Sequence, residues 1–183
     1  MENSNYFKEM NVLTPNDLLK YMNEHIIYGW KDVNGQLHDS SLNDFRKLYV
    51  TSSNEECIKN GNGTCIEQTL LEKAFMDEMD ITCKLYSLRD YRIRDDNEIA
   101  IRMHCFLLFF MNDKCYHFEH ANAGMRGIHE YNSEDDAMAL LTEYYKQRSD
   151  GHERILNEFS EIPAGLTFKE INDYLDNLNI KKR

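Results

Sequence analysis

The spacing of apolar positions divides the chain into helical patterns at both ends and strand patterns in the middle. Thr14-Pro15-Asn16-Asp17 is an N-cap with proline at the first helical position, and it predicts a helix to about His25. Tyr28-Gly29-Trp30-Lys31-Asp32 breaks that pattern, and Val33-Asn34-Gly35-Gln36 reads as a turn. A short helical stretch is expected around Leu42 to Tyr49, and Ser53-Asn54-Glu55-Glu56 caps a brief helix that stops at Asn60-Gly61. Thr64 and Glu67 form a further capping box, which puts Cys65 at a first helical position. Ile66, Leu70, Leu71, Ala74, Phe75 and Met79 follow at helical spacing and give this helix one wide buried face.

Past Asp80 the period shortens. Ile81 to Leu88 reads as a strand, Arg89 to Asn97 as a charged bend, and Ile99 to Met111 as a second strand. Asn112-Asp113 then joins it to a strand from Cys115 to Ala121, a β-hairpin. Ala123 to Tyr131 is a glycine-punctuated loop. Ser133-Glu134-Asp135-Asp136 caps a helix to about Arg148, Asp150-Gly151 breaks it, and further helix is expected to about Phe159. Thr167-Phe168-Lys169-Glu170 caps a last helix ending near Asn179, whose apolar face (Leu166, Phe168, Ile171, Tyr174, Leu175, Leu178) packs on the domain or on a second copy. There is no repeat or linker. The expected fold class is α+β, a helix packed on a central antiparallel sheet, in one domain over 1–183 with a core of about 28–131 and helical extensions at 1–27 and 132–183.

Composition narrows the partners. The 183 residues carry 21 Lys and Arg against 32 Asp and Glu, a net charge of −11, which argues against nucleic acid and against docking on anionic membrane. The longest apolar run, Cys105 to Met111, is far too short to span a bilayer. The polar start Met1-Glu2-Asn3-Ser4-Asn5-Tyr6 has no apolar signal core, and five cysteines is an odd number, so reduced thiols and a cytoplasmic location are expected.

Three residues carry the candidate chemistry. A thiol at a helix N-terminus sees the positive end of the macrodipole and unsatisfied N–H groups, which favour thiolate, and Cys65 holds that position behind Gly61, Gly63 and Thr64. Such a nucleophile needs an imidazole, and the imidazole needs an orienting acceptor. His104 interrupts the apolar run Met103, Cys105 to Phe110. With a two-residue loop, Phe106 pairs with Glu119 and His104 with Ala121, so His104 and Glu119 are diagonal neighbours on one face, about 7–8 Å apart along the backbone. A three-residue loop would turn Glu119 to the opposite face.

Gly63-Thr64-Cys65 opening a helix, His104 on a strand and Glu119 on the next together resemble the transglutaminase-like superfamily of cysteine enzymes, as a small single-domain member of the bacterial type. The likeness runs from about Tyr28 to Tyr131 and includes Tyr28-Gly29-Trp30 and Tyr116-His117-Phe118-Glu119-His120. It implies a papain-like arrangement in which Cys65 is the nucleophile, His104 the base and Glu119 the orienting acid. Two departures stand out. The third member is usually aspartate, and a tryptophan often follows the nucleophile where this chain has Ile66.

The function expected is thiol-dependent acyl transfer on a peptide or protein amide, by hydrolysis or by transamidation through a Cys65 thioester. Hydrolysis is favoured, because no amine site or calcium loop is visible. A catalytically silent binding module of the same fold is the alternative. Trp30, Gly63, Thr64 and Gln68 are candidates for the substrate and oxyanion vicinity, although Gln68 better suits a solvated helix face and Trp30 also suits a core position. Arg126 is read as pairing with surface acids, and Cys57, Cys83, Cys105 and Cys115 as core or turn residues. Metal is not expected: His117 and His120 fall on opposite strand faces, no C-x-x-C pair exists, and His152-Glu153 has no second histidine at zincin spacing. A metal set of His104, His117 and Glu119 from one face is the remaining alternative, and no cofactor is expected.

Overall fold

Alternation along three neighbouring strands builds two cores on opposite faces of one sheet. The computed structural model describes residues 5–39, 45–93, 99–147 and 154–163, with residues 170, 173, 174 and 177. In chain order the elements are α1 (Tyr6–Glu9), α2 (Pro15–His25), β1 (Ile27–Tyr28), β2 (Trp30–Asp32), β3 (Leu37–His38), α3 (Phe45–Leu48), β4 (Tyr49–Val50), α4 (Asn54–Asn60) and β5 (Asn62–Gly63). They continue with α5 (Cys65–Glu78), β6 (Cys83–Ile93), β7 (Ile99–Met111), β8 (Lys114–Glu119), β9 (Gly127–Tyr131), α6 (Glu134–Gln147) and β10 (Arg154–Ile162). Five strands form an antiparallel sheet in the order β10-β6-β7-β8-β9; β1 pairs with β5 in parallel, and β3-β2-β4 form a small third sheet. The class is α+β, as expected from the sequence.

Leu85, Cys105, Leu107, Phe109 and Phe118 point to the face covered by α5, where Leu71, Phe75 and Met76 meet them together with Leu18 and Met22 of α2 and Phe7 of α1. Their neighbours Tyr86, Leu88, Phe106, Leu108 and Cys115 point the other way, onto Ala137, Leu141 and Tyr145 of α6. This period-2 division is what a sheet buried on both faces requires. Each side chain of this size contributes about 1.5–3 kcal/mol on full burial. Among the described residues, no helix is long and apolar enough to cross a membrane.

Several expectations are corrected. The segment read as helix up to Phe159 is strand β10, antiparallel to β6 over Arg154 to Ile162. Its residues are locally compatible with helix, but the open edge of β6 is a stronger, non-local partner. Gly127 to Tyr131, read as loop, is strand β9, and Arg89 to Ile93, read as the start of a charged bend, continue β6 against β7, while 94–97 lie outside the described residues. Tyr28 to Asp32 is strand on either side of Gly29, not a plain break. Of the short helix expected at Leu42 to Tyr49, Phe45–Leu48 is helical, while 41–44 lie outside the described residues. The last helix lies mostly outside them too; Glu170, Asp173, Tyr174 and Asn177 are helical, and the Tyr174 hydroxyl donates to Glu161 O at 3.4 Å.

Candidate active site

The hairpin sets the histidine and its acid. Asn112 and Asp113 both take left-handed backbone, φ 51° and 58°, the two-residue turn that matches strand twist. Met111 pairs with Lys114 and Leu107 with Phe118, so the register is the one the two-residue loop demands. His104 and Glu119 therefore share the α6 face, and His104 Nε2 donates to Glu119 Oε2 at 2.6 Å. The other oxygen, Oε1, accepts the Asn122 N–H at 2.7 Å. Asn122 in turn donates from its side chain to the Tyr145 hydroxyl at 3.2 Å, tying the acid to α6.

The cysteine comes from the other side of the sheet. The β7–β8 ladder ends at Leu107 and Phe118. In the alternation set by the turn, the next β7 group facing β8 is the Cys105 N–H, and β8 no longer supplies its partner. The first turn of α5 fills that opening. The Cys105 N–H donates to the Cys65 sulfur, and the Cys105 thiol and the His104 ring both hydrogen-bond it. Since Nε2 is engaged by Glu119, Nδ1 is the nitrogen left for Cys65.

The turn ahead of Cys65 is fixed by buried polar groups. Glu67, 1% exposed, accepts from the Tyr49 hydroxyl at 2.7 Å, the Ser52 N–H at 3.2 Å and the Thr64 N–H at 2.9 Å, and the Thr64 hydroxyl donates to it as well. Glycine at position 63 is a packing requirement: a Cβ there would lie 2.9 Å from Cys57 Sγ and 3.0 Å from Glu67 Cβ. Gln68 is not on a solvated face. It is 1% exposed, donates to Gly63 O at 2.7 Å and bonds His120 Nδ1 at 2.7 Å.

Charge in this cluster follows from those contacts. The Cys65 thiol is held well below its ordinary pKa, first by the Cys105 thiol and then by hydrogen bonding and charge from His104, against the opposing effect of burial. Burial pushes His104 down, yet the Glu119 charge and the hydrogen bonds to Cys65 and Glu119 outweigh it and leave the imidazole well above its usual value. Burial pushes Glu119 up, and His104 brings it below the usual carboxylate range. Each shift favours the charged form: thiolate at Cys65, imidazolium at His104 and carboxylate at Glu119. Behind them, burial lowers His117 to about 4, so it is neutral, with Nε2 3.7 Å from Glu119 Oε2.

The structure brings Cys65, His104 and Glu119 together, with Thr64, Gly63 and Gln68 in the turn beside them. Trp30 packs instead on His38, rings stacked at 4.3 Å, and edge-on to Phe45. Tyr28, two residues earlier, is the aromatic that reaches Cys65: its hydroxyl hydrogen-bonds the Cys65 backbone, and the Cys65 charge raises its pKa. Arg126 is not paired with a surface acid in this contact: its Nε donates to His120 O at 2.9 Å. Cys105, read only as core, touches Cys65, and its alternation against His104 gave no sign of that. Among the described residues, no group of three or more His, Cys, Asp or Glu is arranged to hold a metal ion. Such an arrangement can form a nucleophilic thiolate, hold a proton at Nδ1 next to it, and present α5 N–H groups to a developing oxyanion.

No protein-family model and no curated protein matches the chain. Among solved structures it is similar to arylamine N-acetyltransferase C from Bacillus anthracis, at 12% identity and a TM-score of 0.46, over 95% of this chain and 74% of that one. A likeness at that level carries nothing about activity or residue roles.

Proposed function

We propose that this chain is a thiol-dependent acyl-transfer enzyme acting on a peptide or protein amide in a reducing compartment, with Cys65 as nucleophile, His104 as acid and base, and Glu119 as the group that orients it. The observation that carries this reading is the unbroken chain of contacts: sulfur to imidazole, and imidazole to a buried carboxylate at 2.6 Å. Cys65 thiolate attacks the amide carbonyl and forms the C–S bond. Backbone N–H groups at the start of α5 receive the charge on oxygen. As the C–N bond breaks, His104 gives its Nδ1 proton to the leaving amine, and a thioester remains. Water then attacks the thioester, with His104 taking its proton, and the acid and free thiol are released. An amine in place of water would give transamidation; hydrolysis is the reading favoured here.

The test is site-resolved. Cys65 alkylation by iodoacetamide is followed against pH by mass spectrometry in wild type and His104→Ala, and acylation by p-nitrophenyl acetate is followed in parallel. The expected result is rapid alkylation well below the ordinary thiol range of about 8.5, slowed in the variant, and an acetyl adduct on Cys65 that hydroxylamine removes. An ordinary thiol titration, unchanged in His104→Ala, would refute the enzyme reading and leave a binding module of this fold.

A further inference from the structure

α5 carries a third polar group on the stripe that faces the opening in the sheet. Cys65, Gln68 and Glu72 are spaced i, i+3 and i+7, so they stack along one helix face. Cys65 meets His104 and Cys105 at the end of the β7–β8 ladder, and Gln68 meets His120 directly after Glu119. Glu72 is one turn deeper, 2% exposed, and its Oε2 is buried without a hydrogen-bond partner in the protein. A carboxylate there has no donor at Oε2 to offset the desolvation of its charge.

We infer that Glu72 is a fourth titratable member of the site, a neutral carboxylic acid beneath the Cys65–His104–Glu119 chain whose retained proton limits the buried cluster to one net negative charge, so that Cys65 can be the thiolate. It acts through its neighbours and is a positioning residue. The titratable groups facing it are Glu119 from β8, His104 from β7 and Cys65 from its own helix; α2 turns Leu18 and Met22 into the core it shares with α5. Glu119 is committed as carboxylate by His104 and by the Asn122 N–H, so of two neighbouring acids the proton falls to Glu72. Burial first, and the Glu119 charge second, push Glu72 well above the usual carboxylate range. Thiolate, imidazolium and Glu119 sum to one negative charge. Ionising Glu72 would double it.

The consequence for Cys65 rests on the thiol-enzyme reading, but the protonation itself is tested without it. At neutral pH, infrared spectra of the full chain should show a protonated-carboxyl band that is missing in Glu72→Gln and present in Cys65→Ser. A second readout is the ratio of Cys65 alkylation by anionic iodoacetate to that by neutral iodoacetamide, in which thiolate fraction cancels. In wild type this ratio should fall by about tenfold across an alkaline step, as expected for one added charge several ångströms away in a protein interior. Glu72→Gln should lack the part of that step owed to Glu72 and keep only the part that follows loss of the His104 proton. A spectrum without the band, or with one that survives in Glu72→Gln, would overturn the inference while leaving the nucleophile intact. So would superimposable ratios in the two proteins. If Glu72→Gln does not fold, titration of the carboxyl band in wild type decides: a band lost between about pH 4 and 5, where ordinary carboxyls ionise, overturns it.

Discussion

Replacing Glu119 by glutamine removes one charge and little volume, and its effect can be worked out from the contacts. The new amide can keep the Asn122 N–H on its carbonyl oxygen, which leaves its NH2 group facing His104 Nε2. The imidazole would then have to accept at Nε2 and carry its proton at Nδ1, the nitrogen that should receive one from a thiol. The charge effect acts in the same direction. In the native protein Nε2 and Oε2 are 2.6 Å apart, which places the centres of charge at about 4 Å, and Glu119 is buried. At an effective dielectric constant of about 20 this pair is worth about 4 kcal/mol, less the cost of desolvating it, so a net loss of about 3 kcal/mol is expected. At 1.36 kcal/mol per factor of ten, the ratio of thiolate–imidazolium to thiol–imidazole falls about 10²-fold. Iodoacetamide alkylation of Cys65 at pH 6–7 should fall by as much as that factor, and the two proteins should converge at alkaline pH, where the thiol ionises without help. An alkylation profile that overlays wild type at pH 6–7, in a variant with unchanged circular dichroism, would refute the assignment of Glu119 to His104.

Four further outcomes are expected. Burial lowers both His117 and His120 to about 4, so the unfolded chain binds their protons more readily below the usual value of 6.5; stability is full above that value and falls as pH drops towards 4. At pH 5 this amounts to roughly 2 kcal/mol for each histidine, and urea midpoints at pH 7 and 5 should show a smaller drop in His117→Gln. His104 has the opposite sign: its raised pKa contributes stability below its unfolded value that is lost as pH rises through the folded one, so His104→Gln should be most destabilising at acid pH by the same assay. Glu67→Ala orphans the Tyr49, Ser52 and Thr64 donors, and a loss of about 2–4 kcal/mol in chemical denaturation is expected, with slower Cys65 alkylation as the helix start loosens. Asp113→Val forces a β-branched residue to φ 58° in the hairpin turn, and should cost about 1–2 kcal/mol by thermal denaturation, whereas Asp113→Gly should be neutral or better.

What the sequence disclosed was governed by how local the signal is. The start of α5, the two-residue turn at Asn112-Asp113 and the placement of His104 against Glu119 follow from caps, period and register, all of which act within about fifteen residues. Strand β10 depends on the edge of β6, built far earlier in the chain, and Arg154 to Phe159 has no local preference strong enough to announce a strand; β9 pairs with its neighbour β8, but its glycine-punctuated approach reads as loop. The polar lining was hidden for a different reason. Apolar spacing marks one face of α5, but the helix is enclosed on several sides, with Glu67, Gln68, Thr69 and Glu72 all buried. A polar residue in such a helix looks solvated until its partners are known. Trp30 shows the converse: the aromatic residue that suits a cleft by type stacks on His38, and Tyr28 takes the place beside Cys65.

The early end of the β7–β8 ladder also gives the molecule a built-in reporter. The Cys105 amide proton points at the Cys65 sulfur instead of at a strand carbonyl, so its chemical shift and its exchange with solvent depend on what that sulfur carries. Acylation, alkylation or protonation of Cys65 would each change the acceptor that this one amide sees, while amides farther along the ladder keep theirs. A single resonance in an amide correlation spectrum can therefore follow the state of the Cys65 sulfur in real time, with no dye and no chromogenic reagent.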